Sequence, residues 1–143
     1  MSCYRIPASA VPAGEVVEAV DHLHLEPLPR IVAEGRRFVG SRDPGVTASQ
    51  RDVLLLLTSE LVTNAVIHAR TPIELGMTVT DLSLVVTVHD ADLGHRELPG
   101  PARDGGRGLD LVHALADAHD MVRHPGDGKT AWFRLSRNAR EAG

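Results

Sequence analysis

Between Ala48 and Ala69 apolar residues return once per helical turn, at Leu54, Leu57, Leu61 and Ala65, and Pro72 stands just beyond. That period, held over so long a stretch, predicts one long helix with a face in the core. Thr47 or Ser49 is placed to cap its start. The rest of the chain reads as arranged around this helix. Its second half carries a polar interruption. Glu60 and Asn64 are four residues apart and so share one face, with His68 a further turn along. Two readings are open here. The line of polar groups is either a solvated helix edge or a functional site, because charged residues are rarely buried without a partner.

The flanking segments supply a sheet. Met1 to about Val16 holds Pro7, Pro12 and Gly14 among small residues and reads as a loose arm. Val17 to Glu26 alternates as a strand, ended by Pro27 and Pro29. Ile31, Val32, Gly35, Phe38 and Val39 mark one face of a helix that stops near Asp43-Pro44-Gly45. After the long helix, Ile73 to Thr80 and Leu82 to His89 read as a hairpin of two strands. A loop from Asp90 to Arg107 leads to a helix from Gly108 to His119. Met121–His124 and Thr130–Leu135 are short strands around Pro125-Gly126-Asp127-Gly128, and a polar tail follows. The order β-α-α-β-β-α-β-β predicts a two-layer α/β sandwich: a mixed, mostly antiparallel sheet covered on one face by three helices. The domain would span residues 17–136, between an N-terminal arm and a short tail.

With 143 residues the chain is long enough for one domain with a real core. Aromatic residues make up only 3%, which argues against a stacking surface for single-stranded nucleic acid. The net charge of −4, with no basic cluster beyond Arg36-Arg37, argues against a phosphate-backbone partner. A lone Cys3 excludes an internal disulfide and a cysteine zinc cage, and fits a reducing cytoplasm. No apolar run approaches membrane-spanning length, and no signal peptide is visible. A soluble, cytoplasmic protein is expected.

Two further constellations carry chemistry. Asp90 closes a buried strand in His89-Asp90-Ala91-Asp92-Leu93-Gly94. It is either an Asp-Gly turn or a carboxylate that accepts a hydrogen bond from a planar base, with Gly94 admitting the ring. Asp104-Gly105-Gly106-Arg107-Gly108-Leu109 leads into a helix. It is either a flexible loop or an anion site, in which unpaired N–H groups, the helix dipole and Arg107 face a phosphate. Gly128-Lys129-Thr130 ends like a phosphate-binding P-loop, but Arg123 replaces its first glycine and a strand follows, so the motif fails. His22 and His24 share a strand face without a third metal ligand, and Ser59 lacks the elbow of a hydrolase nucleophile.

Glu60-x-x-x-Asn64 on a helix, a strand ending in Asp90 with Gly94 beyond, and a glycine-rich helix entry, in that order, resemble the GHKL ATP-binding superfamily with its Bergerat-type fold. Ser59-Glu60-Leu61-Val62-Thr63-Asn64-Ala65, Gly106-Arg107-Gly108-Leu109 and Gly128-Lys129-Thr130-Ala131-Trp132 are similar to the anti-sigma factor serine kinases and related actinobacterial ATP-binding regulators. The similarity covers about residues 20 to 136. It implies ATP and magnesium as ligands, with Asn64 on the metal and Glu60 as general base toward a target serine. It implies Asp90 and Gly94 at the adenine, Thr130 beside it, and Gly105, Gly106, Arg107, Gly108 and Leu109 around the phosphates. It also implies a sigma factor or an anti-sigma antagonist as partner, and a homodimer. At the position two beyond Asp90, where the family has a small residue, this chain has Asp92. Two classes therefore stand: a serine/threonine protein kinase acting as an anti-sigma factor, and a nucleotide-binding or inactive interaction module of the same fold.

Overall fold

The computed structural model of the protein describes residues 6–42, 44–68, 71–91 and 104–137. Its sheet has five strands: β1 (Val17–Leu25), β2 (Ile73–Thr80), β3 (Ser83–Asp90), β4 (Ala118–Arg123) and β5 (Lys129–Ser136). Their spatial order is β1-β2-β3-β5-β4. Three helices, α1 (Ile31–Gly40), α2 (Ala48–His68) and α3 (Asp104–Leu115), complete the α/β sandwich.

Among the described residues every strand pairing is antiparallel, where sequence patterning predicts a mixed, mostly antiparallel sheet. The reason lies in the connection through α3. It returns the chain to β4 in the same direction as β3, but β5 is inserted between the two strands. The parallel pair is thus separated, and no parallel ladder forms.

The β2–β3 turn is fixed locally. The Thr80 hydroxyl accepts hydrogen bonds from Leu82 N at 3.1 Å and Ser83 N at 2.8 Å, closing the chain in a tight reversal. From there the register alternates. Ile73, Leu75, Met77 and Val79 of β2 and Leu84, Val86 and Val88 of β3 are buried in the main core, with Phe133 and Leu135 of β5. Each such side chain, fully removed from water, contributes about 1.5–3 kcal/mol of transfer free energy.

The helices lie over that face. The Thr47 hydroxyl accepts from Gln50 N at 3.2 Å, so Thr47 rather than Ser49 caps α2. Leu54, Leu57, Leu61 and Val62 of α2 are buried, as are Ile31, Phe38 and Val39 of α1. Gly35 lets α1 approach closely: a Cβ there would lie 3.2 Å from Leu75 Cδ2 and 3.4 Å from Val62 Cγ2.

The segment before β1, expected to be loose, is packed on the sheet's other face from residue 6 onward. Ala10 is fully buried with Val85 and Trp132, and Ile6, Val11 and Ala118 pack against them. Arg134 ties the segment down by donating to Ala10 O at 3.1 Å, and Glu15 accepts from the Thr80 hydroxyl at 2.6 Å. Small residues seal against the Trp132 ring because the ring supplies the area that they lack.

The last third also shifts against expectation. α3 begins at Asp104, not Gly108, and ends at Leu115; β4 begins at Ala118, not Met121. Asp117 sets the change of direction. Its N–H donates to Arg134 O at 2.9 Å and its carboxylate accepts from Ser136 N, so strand pairing starts at the next residue. Among the described residues no helix is long and apolar enough to cross a membrane.

Candidate functional site

Topology brings the end of α2, the end of β3 and the start of β5 toward one end of the sandwich. α2 packs on β3 and β5 and against α3. Four residues beyond Asn64 α2 ends, and the chain soon enters β2 at Ile73, which lies directly opposite Asp90 in the ladder. Asp90 in turn lies opposite Lys129, the first residue of β5. The end of α2, the end of β3 and the start of β5 therefore border one region.

Glu60 and Asn64 are both half-buried on α2. Among the described residues neither side chain has a hydrogen-bond or ion-pair partner, whereas Thr58 and Ser59 beside them bond back to Leu54 O and Leu55 O. A half-buried carboxylate and amide left unpaired are groups that a ligand can complete. A hard cation takes oxygen ligands, and the Asn64 amide oxygen fits one such position, with phosphate and water oxygens for the rest. Among the described residues no cluster of three or more His, Cys, Asp or Glu is arranged to hold a metal by itself. His22 and His24 both face Glu74 across the β1–β2 ladder, at 4.0 and 3.9 Å.

Asp90 is buried, with its side chain 4% exposed, and it follows Val86 and Val88 on the helix-covered face. Lys129 Nζ donates to its Oδ1 at 3.2 Å. A carboxylate has about four acceptor positions, so such a group can serve several donors at once. Backbone geometry defends the same spot. Gly128 has φ +78°, and a Cβ there would lie 1.9 Å from Asp90 O and 2.7 Å from Ala91 Cα. Only glycine lets β5 begin so close to the end of β3. Thr71 completes the corner, its hydroxyl accepting from Ala91 N at 3.1 Å.

Thr130 does not join this group. It lies opposite His89 in the β3–β5 ladder, on the face turned away from the helices. Its hydroxyl is hydrogen-bonded to His89 Nδ1 at 2.9 Å and to His124 Nε2 at 2.8 Å. One step of strand parity separates it from Asp90. Lys129 occupies the facing position instead, and sequence reasoning missed it. The signal was present: Lys129 has the parity of Ala131, Phe133 and Leu135, the core-facing residues of β5.

The glycine-rich segment falls differently from expectation. Gly105, Gly106, Arg107, Gly108 and Leu109 lie within the first turns of α3 rather than in a loop before it. Gly94 and Asp92 lie outside the described residues.

A model of the histidine kinase-like ATPase domain matches residues 24–135, most of the chain. The chain belongs to the histidine kinase-like ATPase domain family. Among solved structures it is similar to that of the RsbU and RsbW domains of Rv1364c from Mycobacterium tuberculosis. The TM-score is 0.58 at 22% identity, over 88% of this chain and 35% of that one. At this identity the likeness is one of fold, and the chain spans about a third of that relative's length. No curated protein sequence gives a significant match. Membership in the family gives Glu60, Asn64 and Asp90 a common setting: one helix and one strand end of a histidine kinase-like ATPase fold.

Proposed function

We propose that this protein binds ATP with magnesium and acts as a serine/threonine protein kinase of the anti-sigma factor type, regulating transcription by partner switching. The observation that carries the reading is the pair Glu60 and Asn64, half-buried on α2 and without partners among the described residues, in a chain of the histidine kinase-like ATPase family.

In this reading the Asn64 amide oxygen holds the magnesium ion, which neutralises phosphate charge. The Glu60 carboxylate takes the proton from the attacking serine hydroxyl. Asp90 accepts a hydrogen bond from the adenine amino group. Gly105, Gly106, Arg107, Gly108 and Leu109, in the first turns of α3, would hold the phosphates, and Gly94 would admit the base. The protein partners are a sigma factor and an antagonist of anti-sigma action, and the kinase works as a homodimer in the cytoplasm.

The test is phosphate transfer from γ-labelled ATP to a serine-bearing antagonist, comparing the wild type with Glu60→Gln. Label on the antagonist that vanishes in the variant, with ATP binding retained, supports the kinase; equal labelling removes Glu60 from the base role.

A second reading has its own observation. Asp90 already carries the Lys129 ammonium at 3.2 Å. A base that cannot share this carboxylate would bind weakly, and the fold would then serve as an interaction module. ATP binding without label transfer to any serine favours that reading.

A further inference from the structure

We propose that His113 and His119 form a reversible binding site for a zinc ion at the corner between α3 and β4. His113 stands in the last turn of α3, and His119 is the second residue of β4. Nδ1 of His113 and Nε2 of His119 are 3.1 Å apart. The rings meet nearly edge to face, with centroids 5.2 Å apart and planes at 79°.

The fold brings the two nitrogens together. His119 lies opposite Phe133 in the β4–β5 ladder, and Phe133 belongs to the main core, so His119 takes the helix-covered side of the sheet. Only Ala116 and Asp117 separate α3 from β4. The Ala116 N–H donates to Val112 O at 2.9 Å and the Asp117 N–H to Arg134 O at 2.9 Å, which fixes both sides of the corner.

Three features point to a metal ion. Two nitrogens on one tetrahedral zinc, with bonds of about 2.0–2.1 Å, stand about 3.3–3.4 Å apart. The pair at 3.1 Å is a few tenths short of that, and both side chains are exposed and can rotate by the difference. In the hydrogen-bonded pair one facing nitrogen carries a proton; on zinc both are bare, and that proton sits on the other nitrogen of its ring. The surroundings are also anionic: from Gly108 to Val122 the chain has Asp110, Asp117 and Asp120 and no Lys or Arg. All three aspartates are exposed. Finally, His113 lies at the end of α3 where the helix dipole favours a cation. Imidazole nitrogen suits zinc, whereas magnesium takes oxygen. Two protein ligands are fewer than a structural zinc has, so water fills the remaining positions and the ion exchanges. His89 and His124 offer no such pair, because the Thr130 hydroxyl is bonded to both. The site shares no residue with the Glu60–Asn64–Asp90 region and stands without it.

The test is calorimetric titration of the tag-free, isotopically labelled full chain with zinc sulfate, at neutral pH and without nucleotide, followed in parallel by amide chemical shifts. Saturable one-to-one binding at micromolar zinc is expected, with affinity at least about tenfold lower in His113→Gln and in His119→Gln. The shifts should centre on residues 112–120. Both variants alter exposed side chains, and their amide spectra without zinc, unchanged elsewhere, verify the fold. No saturation at millimolar zinc, shifts centred elsewhere, or unchanged affinity in both variants would overturn the proposal. Binding lost in His22→Gln/His24→Gln but kept in His113→Gln would move the ion to β1 and overturn it as well.

Discussion

Asp90 and Lys129 meet across β3 and β5 at 3.2 Å, the side chains 4% and 15% exposed, where the end of β3 lies opposite the start of β5. The pair joins stability to function, because the carboxylate proposed to read adenine is also the counter-ion of a largely buried lysine. Removing one partner leaves a desolvated charge, which costs far more than losing an exposed pair. Lys129→Met should therefore lower unfolding stability by about 2–3 kcal/mol. Lys129→Met/Asp90→Asn should recover most of that loss. Urea unfolding measures both, and equal loss in the single and double variants would show that the pair is not coupled.

Gly128 has no substitute at its position. Gly128→Ala combines a φ of +78° with a contact of 1.9 Å to Asp90 O. Gly126, with φ +74° and nothing within 4 Å of an added Cβ, meets the first problem alone. Gly126→Ala should cost about 1–2 kcal/mol, the left-handed conformation of a non-glycine residue. Gly128→Ala should cost clearly more or prevent folding. Similar thermal midpoints for the two variants would contradict the close strand approach.

Thr130→Val keeps the strand and removes both imidazole hydrogen bonds. Stability should fall by about 1–2 kcal/mol as His89 and His124 lose their shared hydroxyl. ATP affinity should stay within about twofold, since a change of 0.4 kcal/mol or less is all that a side chain on the far face should transmit. A large loss of nucleotide binding with normal stability would return Thr130 to the adenine pocket.

How much of this was legible in the chain depends on the range of the interaction. α2, β2 and β3 declare themselves because Leu54, Leu57 and Leu61, or Leu84, Val86 and Val88, repeat at their own period. The burial of Ala10 could not be read locally, since the ring that covers it belongs to Trp132, far along the chain. Which face Thr130 takes depends on the β3–β5 register, which the local pattern Gly128-Lys129-Thr130 does not contain. Strand parity, followed back from Leu135 through Phe133 and Ala131, leads to Lys129. The α3 start escaped detection because glycines argue against a helix interior on propensity alone.

Asn64→Ala removes the amide oxygen assigned to magnesium from a half-buried position without described partners. Thermal stability should change little, by about 0.5 kcal/mol, as for a surface substitution. Magnesium-dependent ATP binding should be lost. Binding that survives in a folded variant would move the metal to other ligands.

The most direct measurement is calorimetric titration of the wild-type protein with ATP, with and without magnesium. The account predicts saturable binding that requires magnesium. No heat of binding at millimolar ATP in the presence of magnesium would contradict it, and would leave the fold as a surface for protein partners alone.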